Sequence, residues 1–188
     1  MARAYTAFFD ANIFFGASLR SLIMELAQSK SFRARWSQDV HREWINSVAE
    51  KRGIDLAILA NTQAQMDAAV PDCLVTGYES LIAGLSLPDP DDWHVLAAAI
   101  KVRASVIVTF NLADFPAGTL EKYRLAALHP DEFLLGLEKS TTGVLVEAAI
   151  QDRAHYRNPP KSWADYLQAL RRAGVTATAD FLAGRDLP

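Results

Sequence analysis

Residues 88–116 read PDPDDWHVLAAAIKVRASVIVTFNLADFP. The stretch sets four aspartates and an asparagine around one apolar helix and one short apolar strand. Its pattern predicts a helix over Pro90–Val102 and a strand over Ser105–Thr109. Asp89, Asp91 and Asp92 come before or at the start of the helix, and Asn111 and Asp114 follow the strand. If the two elements pack side by side, their polar ends meet at one edge of a sheet. That edge is a candidate site for a divalent cation, with the missing ligands supplied from elsewhere in the chain.

Working outward, Ala4–Phe9 is a continuous apolar and aromatic run, as expected of a buried parallel strand. It stops at Asp10. Helical spacing continues over Gly16–Gln28 and over Gln38–Arg52, with Gly53 as a stop. A third helix spans Asp55–Val70, with Leu56, Leu59 and Met66 inward. Cys73–Val75 and Leu125–Leu128 read as short strands, and Tyr78–Leu85 and Pro130–Leu137 as short helices. This alternation predicts an α/β class, a three-layer α/β/α fold with a mostly parallel central sheet. In such sheets ligands gather beyond the carboxyl ends of the strands, where Asp10 and Asn111 both fall. The character changes near Ser140. Helices over Thr142–Tyr156, Ser162–Arg172 and Thr178–Leu182 make residues 140–188 a helical C-terminal extension to a domain over 1–139. Arg157-Asn158-Pro159-Pro160 joins two of those helices, and Ser162 with Asp165 forms a capping pair.

The bulk properties exclude some classes. A chain of 188 residues, 51% hydrophobic and 22% charged, suits one folded domain with an appendage. A net charge of −3 gives no general attraction for nucleic acid, so such a partner needs a local basic patch. The single cysteine, Cys73, excludes an internal disulfide and fits a reducing compartment. The N-terminus does not read as a signal peptide, and no apolar run reaches a membrane span. The expected location is the cytoplasm.

Each acid has a bland reading beside the chemical one. Asp10, with Asn12 two residues on, either starts a turn or offers a strand-end carboxylate. Glu43 lies at the edge of the face made by Val40, Trp44, Ile45 and Val48, and is either solvated or turned into a cleft. His41 and Arg42 beside it read as surface residues. Asp89 is either a good N-cap before Pro90 or an outer ligand; Asp91 reads as solvent-facing. Asp92 sits one turn ahead of the buried stripe and is the best ligand of the three. Trp93 and His94 read as packing and surface residues. Thr109 offers a strand-end hydroxyl, and Asn111 and Asp114 offer oxygens on a tight loop or an Asx-type turn. Physics favours the joint reading. Two carboxylates ~4 Å apart repel by roughly 4 kcal/mol at an effective dielectric near ~20, which a cation offsets. All the donors are oxygens, a set that suits Mg²⁺ or Mn²⁺ and not Zn²⁺.

FFDANIFF over 8–15, Glu43 on the second helix, DPDDWHVLAAAI over 89–100 and VIVTFNLADFP over 106–116 together resemble the PIN-domain family of metal-dependent nucleases. The resemblance covers residues 5–135. Within that family the chain is most similar to VapC-type toxins of toxin–antitoxin pairs, in a subgroup with a helical C-terminal extension. It implies cleavage of single-stranded or structured RNA with Mg²⁺ or Mn²⁺, inhibition by a cognate antitoxin, and a homodimer. It carries Asp10, Glu43 and Asp92 over as the three central acids and Thr109 as the strand-end hydroxyl. Asn111 stands where many members have a fourth acid, with Asp114 close by, so one metal or two remain open. That departure also motivates a second reading, a catalytically impaired RNA- or protein-binding module. A phosphatase of the haloacid-dehalogenase type is disfavoured, because it needs an acid where Asn12 stands. Arg33, Arg35, Arg42, Lys101 and Arg103, with Arg153, Arg157 and Lys161 in the extension, are candidates for contacts to the RNA backbone. Trp36 and Tyr156 either stack on bases or pack in the core.

Overall fold

The computed structural model describes residues 5–185 and residue 187. The expected strand start at Ala4 lies outside them. Strand β1, Thr6–Phe9, is buried at every position. Successive strand side chains point to opposite faces, so both faces of the sheet are covered. Strand β4, Val106–Val108, is buried in the same way. With β2 (Arg33–Ser37), β3 (Leu74–Val75) and β5 (Ala126–Leu128), they form one five-stranded sheet in the order β3-β2-β1-β4-β5. Every pairing is parallel, and Phe9 lies opposite Val108. The chain builds β1, β2 and β3 outward, then crosses back to lay β4 on the free side of β1. The gap between β1 and β4 is therefore a topological switch point, where a crevice opens beyond the carboxyl ends of the strands.

The helices up to residue 120 are α1 (Ala11–Phe15), α2 (Ala17–Gln28), α3 (Gln38–Arg52), α4 (Leu56–Ala69), α5 (Glu79–Ile82), α6 (Trp93–Lys101) and α7 (Ala117–Leu120), and all but α2 belong to the same unit as the sheet. The run Val95–Ala99 on α6 is wholly buried, and its three alanines let that helix lie close against β1, β2 and β4. Helix α3 starts where Ser37 accepts a hydrogen bond from the Val40 N–H at 3.2 Å, and ends at Gly53, whose φ of 63° suits glycine. Val40, Trp44 and Val48 form its buried stripe.

Four helices follow: α8 (Pro130–Ser140), α9 (Val144–His155), α10 (Trp163–Arg172) and α11 (Thr176–Ala183). The described chain packs into two compact units. The first runs to Phe15 and resumes over Phe32–His129; the second takes Gly16–Ser31 and the chain from Pro130 on. Helix α2 packs with α9 and α10, so the second unit takes in more than residues 140–188. No helix of the described residues is long and apolar enough to cross a membrane.

Four expectations need correction. The strand β2 was not anticipated. Its alternation buries Ala34 and Trp36 while Arg33 faces out and the Arg35 guanidinium donates to the Asp72 carbonyl. Leu56 is not inward but 57% exposed, because it is the first residue of α4 and precedes the turn that packs. His41 is not a surface residue but fully buried. Its Nε2 lies 2.9 Å from Asp67 Oδ1, and its Nδ1 accepts from the Trp44 indole N–H. Asp67 Oδ1 also accepts from the Trp36 indole N–H at 3.0 Å, tying β2, α3 and α4 together. Burial holds the His41 imidazole below its ordinary pKa, against the pull of Asp67. Finally, the imidazole of His94, read as a surface group, is only 12% exposed and lies against Glu43.

Candidate active site

Asp10 is the residue at which β1 ends, and its backbone N–H still joins the ladder by donating to Val108 O at 3.1 Å. Its carboxylate is held from three sides. Oδ1 accepts from the Ala11 N–H at 2.6 Å; Oδ2 accepts from the Thr109 hydroxyl at 2.6 Å and the Asn12 amide at 2.5 Å. Thr109 is the matching strand-end residue of β4, so the hydroxyl bridges the switch point. Thr109 Oγ1 also accepts from the Asn111 N–H and the Asn12 amide, each at 3.0 Å, while Asn12 Oδ1 accepts from Phe110 N–H at 3.2 Å. Asn12 and Thr109 thus fix the orientation of Asp10. Burial pushes the Asp10 carboxyl up, and the bonds from Thr109 and Ala11 only partly oppose this.

A cleft of about 430 Å³ opens over this carboxylate. Asp10, Asn12, Glu43, Asp92 and Asn111 all line it, so four elements of the sequence pattern converge on one hollow. Glu43 reaches it because the buried stripe of α3 turns the neighbouring stripe toward the sheet edge. Glu43, Ser47 and Lys51 recur every fourth residue, and all three line the cleft. Asp92 reaches it from the 3-10 turn Pro90–Asp92 that leads into α6.

Asp89 and Asp114 complete the acidic edge on one side. One carboxylate oxygen from each of Asp89, Asp92 and Asp114 lies within 4.8 Å of the others. Asp89 also caps its turn, accepting from Asp91 N–H at 2.9 Å, so capping and clustering coexist in one side chain. Asp91 is exposed. Asn111 stays at the cleft, and its amide donates to Asp114 Oδ2. The amide therefore orients a carboxylate that stands close to where a fourth acid is expected. Burial first, then repulsion from Asp10, Asp114 and Asp89, pushes the Asp92 carboxyl up to about 7. An all-oxygen cluster this short of positive charge fits a hard divalent cation.

Of two further groups close to the acids, the sequence reading took one for a surface residue and passed over the other. His94 Nε2 approaches Glu43 Oε1 at 2.7 Å, as an ion pair without the direction of a regular hydrogen bond. Burial alone would lower the imidazole pKa, but Glu43, Asp39 and Asp10 raise it above its ordinary value. Its signal was adjacency to Asp92, two residues earlier. Lys51 was the other, and its signal was the four-residue spacing from Glu43. Of the proposed RNA-contacting cations, Arg42 lines an adjoining hollow that shares Glu43 and Asp92, where it pairs with Asp39 at 2.6 Å. Arg33, Arg35, Lys101 and Arg103 line neither hollow. In the second unit the Arg153 guanidinium stacks on Trp163 and the Lys161 ammonium on Tyr156. Trp36 is a core residue.

Comparison with known proteins agrees with this geometry. A "VapC50 C-terminal domain" family model matches residues 130–184, which all belong to the second unit. A protein named "Putative ribonuclease VapC50" from Mycobacterium tuberculosis (strain ATCC 25618 / H37Rv) is 47% identical over 74 residues. That match spans 37% of this chain and 43% of the relative. No solved structure matches. The "PIN domain" family model matches residues 6–113, more than half of the chain and the whole of the acidic site but Asp114, and the chain belongs to the PIN-domain family.

Proposed function

We propose that the protein is a metal-dependent endoribonuclease that hydrolyses phosphodiester bonds of RNA. In this reading it is the toxin of a toxin–antitoxin pair, cytoplasmic, homodimeric, and held inactive by a cognate antitoxin. The observation that carries the nuclease reading is the convergence of Asp10, Glu43 and Asp92, from three separate elements, on one cleft. The ribonuclease named in its relative supports the choice of RNA.

Asp10, Glu43 and Asp92 would hold Mg²⁺ or Mn²⁺, with Asp114 and Asp89 on the Asp92 side and Asn111 positioning Asp114. Such an ion polarises a phosphate oxygen and makes a water nucleophilic near neutral pH. The chain supplies the rest. Thr109, Asn12 and the Ala11 N–H keep Asp10 in one orientation, which saves reorganisation when substrate arrives. The pair with His94 directs Glu43. In hydrolysis the water oxygen bonds to phosphorus as one ester P–O bond breaks, and the departing ribose oxygen takes up a proton.

The test is cleavage of single-stranded RNA by the purified chain with Mn²⁺, with and without chelator, beside calorimetric titration with Mn²⁺. Cleavage that stops with chelator and is lost in Asp10→Asn supports the reading. Cleavage that persists in Asp10→Asn ends it. RNA binding without metal uptake or cleavage favours the impaired binding module instead.

A further inference from the structure

The sequence FFDANIFF places four phenylalanines around Asp10. Phe8, Phe9 and Phe14 are fully buried, as core residues should be. Phe15 is not. It is half-buried, sits at the end of α1, and lines the cleft together with Lys51. Two cations gather on its ring. The Arg52 guanidinium lies 4.4 Å from the ring centroid and the Lys51 ammonium 5.7 Å. Both come from the last turn of α3, just before Gly53 ends the helix. Arg52 does not line the cleft, whereas Lys51 does.

The opposite side of the acids has another character. The adjoining hollow that shares Glu43 and Asp92 is also lined by Asp39, Asp91, Arg42, Trp93 and His94, and its two cationic groups are already paired, Arg42 with Asp39 and His94 with Glu43. Phosphate is therefore favoured on the Lys51 side and disfavoured on the other. An aromatic face beside an ammonium is the combination that binds one nucleotide of a single strand, with the base stacked and the phosphate neutralised.

We propose that Phe15, with Lys51 and Arg52 at its ring, is a stacking subsite for an unpaired base of the RNA strand, next to the phosphate that lies over Asp10 and Asp92. The subsite makes the enzyme select single-stranded over paired RNA, since a paired base cannot swing onto the ring. This rests on the nuclease reading above, and the experiment separates the two.

Fluorescence anisotropy in Mn²⁺ is measured on the full chain carrying Asp92→Asn, so that the probe stays intact. The probes are a labelled mixed-sequence single-stranded RNA 12-mer and an abasic ribose-phosphate 12-mer. Adding Phe15→Leu, which keeps apolar volume, weakens the 12-mer by about 10-fold and leaves the abasic probe unchanged. Phe15→Tyr restores binding. Lys51→Gln weakens both probes and lowers the salt slope by about 0.7. Equal affinity of the Phe15→Leu protein for the 12-mer, or equal loss on both probes, overturns the proposal while wild-type cleavage in parallel keeps the nuclease reading. An Asp92→Asn chain that does not bind the 12-mer, beside a wild type that does not cleave RNA, overturns both.

Discussion

Asp92 in the first unit and Asp152 in the second are the same residue type in opposite situations. Asp152 is fully buried on α9, yet both its oxygens are used. Oδ1 accepts from the Ser21 hydroxyl, and Oδ2 accepts from the Tyr166 hydroxyl at 2.6 Å. Asp92 is only half-buried, but among the described residues no donor reaches its carboxylate, and three acids raise its pKa. Hydrogen bonds make one buried carboxylate part of the architecture. The other is left with its electrostatic problem, and a cation is what would resolve it. Neither depth nor pKa direction separates them, since burial raises Asp152 as well. The supply of donors does.

The largest test of that contrast is paired substitution. Asp92→Asn is expected to abolish RNA cleavage, by on the order of 10³-fold or more, because it removes a ligand and a charge at the reacting centre. Its unfolding midpoint in metal-free urea titration should hold or rise, since a like charge leaves the cluster. Asp152→Asn should do the reverse. One of its two donors loses an acceptor in a dry site, at a cost of about 1–3 kcal/mol, and cleavage per folded molecule persists. A destabilised Asp92→Asn protein with a normal Asp152→Asn protein would break the comparison.

Metal sharpens it further. Saturating Mn²⁺ should raise the thermal midpoint of the wild type and of Asp152→Asn, and not that of Asp92→Asn, by differential scanning fluorimetry. The pH dependence follows from the same group. The folded pKa of Asp92, about 7, lies above its ordinary 3.8, so between those values the folded chain holds more protons than the unfolded one. Stability from this group is fully present below about pH 4 and is lost as pH rises toward 7, the opposite of a salt-bridged acid. Metal-free denaturation measured from pH 4.5 to 7.5 should show that loss in the wild type and a flatter profile in Asp92→Asn.

Most of the sheet and the meeting of Asp10, Glu43 and Asp92 at one cleft were legible because their signals are local. Strand β1 is an unbroken apolar run, α3 carries its own stop at Gly53, and the Ser162–Asp165 cap closes reciprocally at 3.1 Å and 2.6 Å. What escaped depends on partners far off in the chain. Strand β2 alternates Arg33 and Arg35 with Ala34 and Trp36, so its polar face conceals its core face. His41 looks solvated until Asp67, 26 residues later, supplies an acceptor. The role of Asn111 is invisible until its amide meets Asp114. Helix α2 has an ordinary amphipathic pattern, and nothing in it tells which core its apolar stripe joins.

The smallest expected effect compares the two units through one kind of bond. Ser37 caps α3 and Ser162 caps α10, each by accepting a backbone N–H three residues on. Ser37 is fully buried, and so is the Val40 whose N–H it accepts. Ser162 and Asp165 are exposed, so water can replace the lost hydroxyl there. Ser37→Ala should therefore cost about 1–2 kcal/mol and Ser162→Ala about 0.5–1 kcal/mol, by urea denaturation. Ser37→Ala should also loosen the turn that presents Glu43, lowering cleavage a few-fold, whereas Ser162→Ala should leave the rate alone. Equal costs at the two caps would mean that the start of α3 is wetter than its packing implies, and the rigid presentation of Glu43 would lose its physical basis.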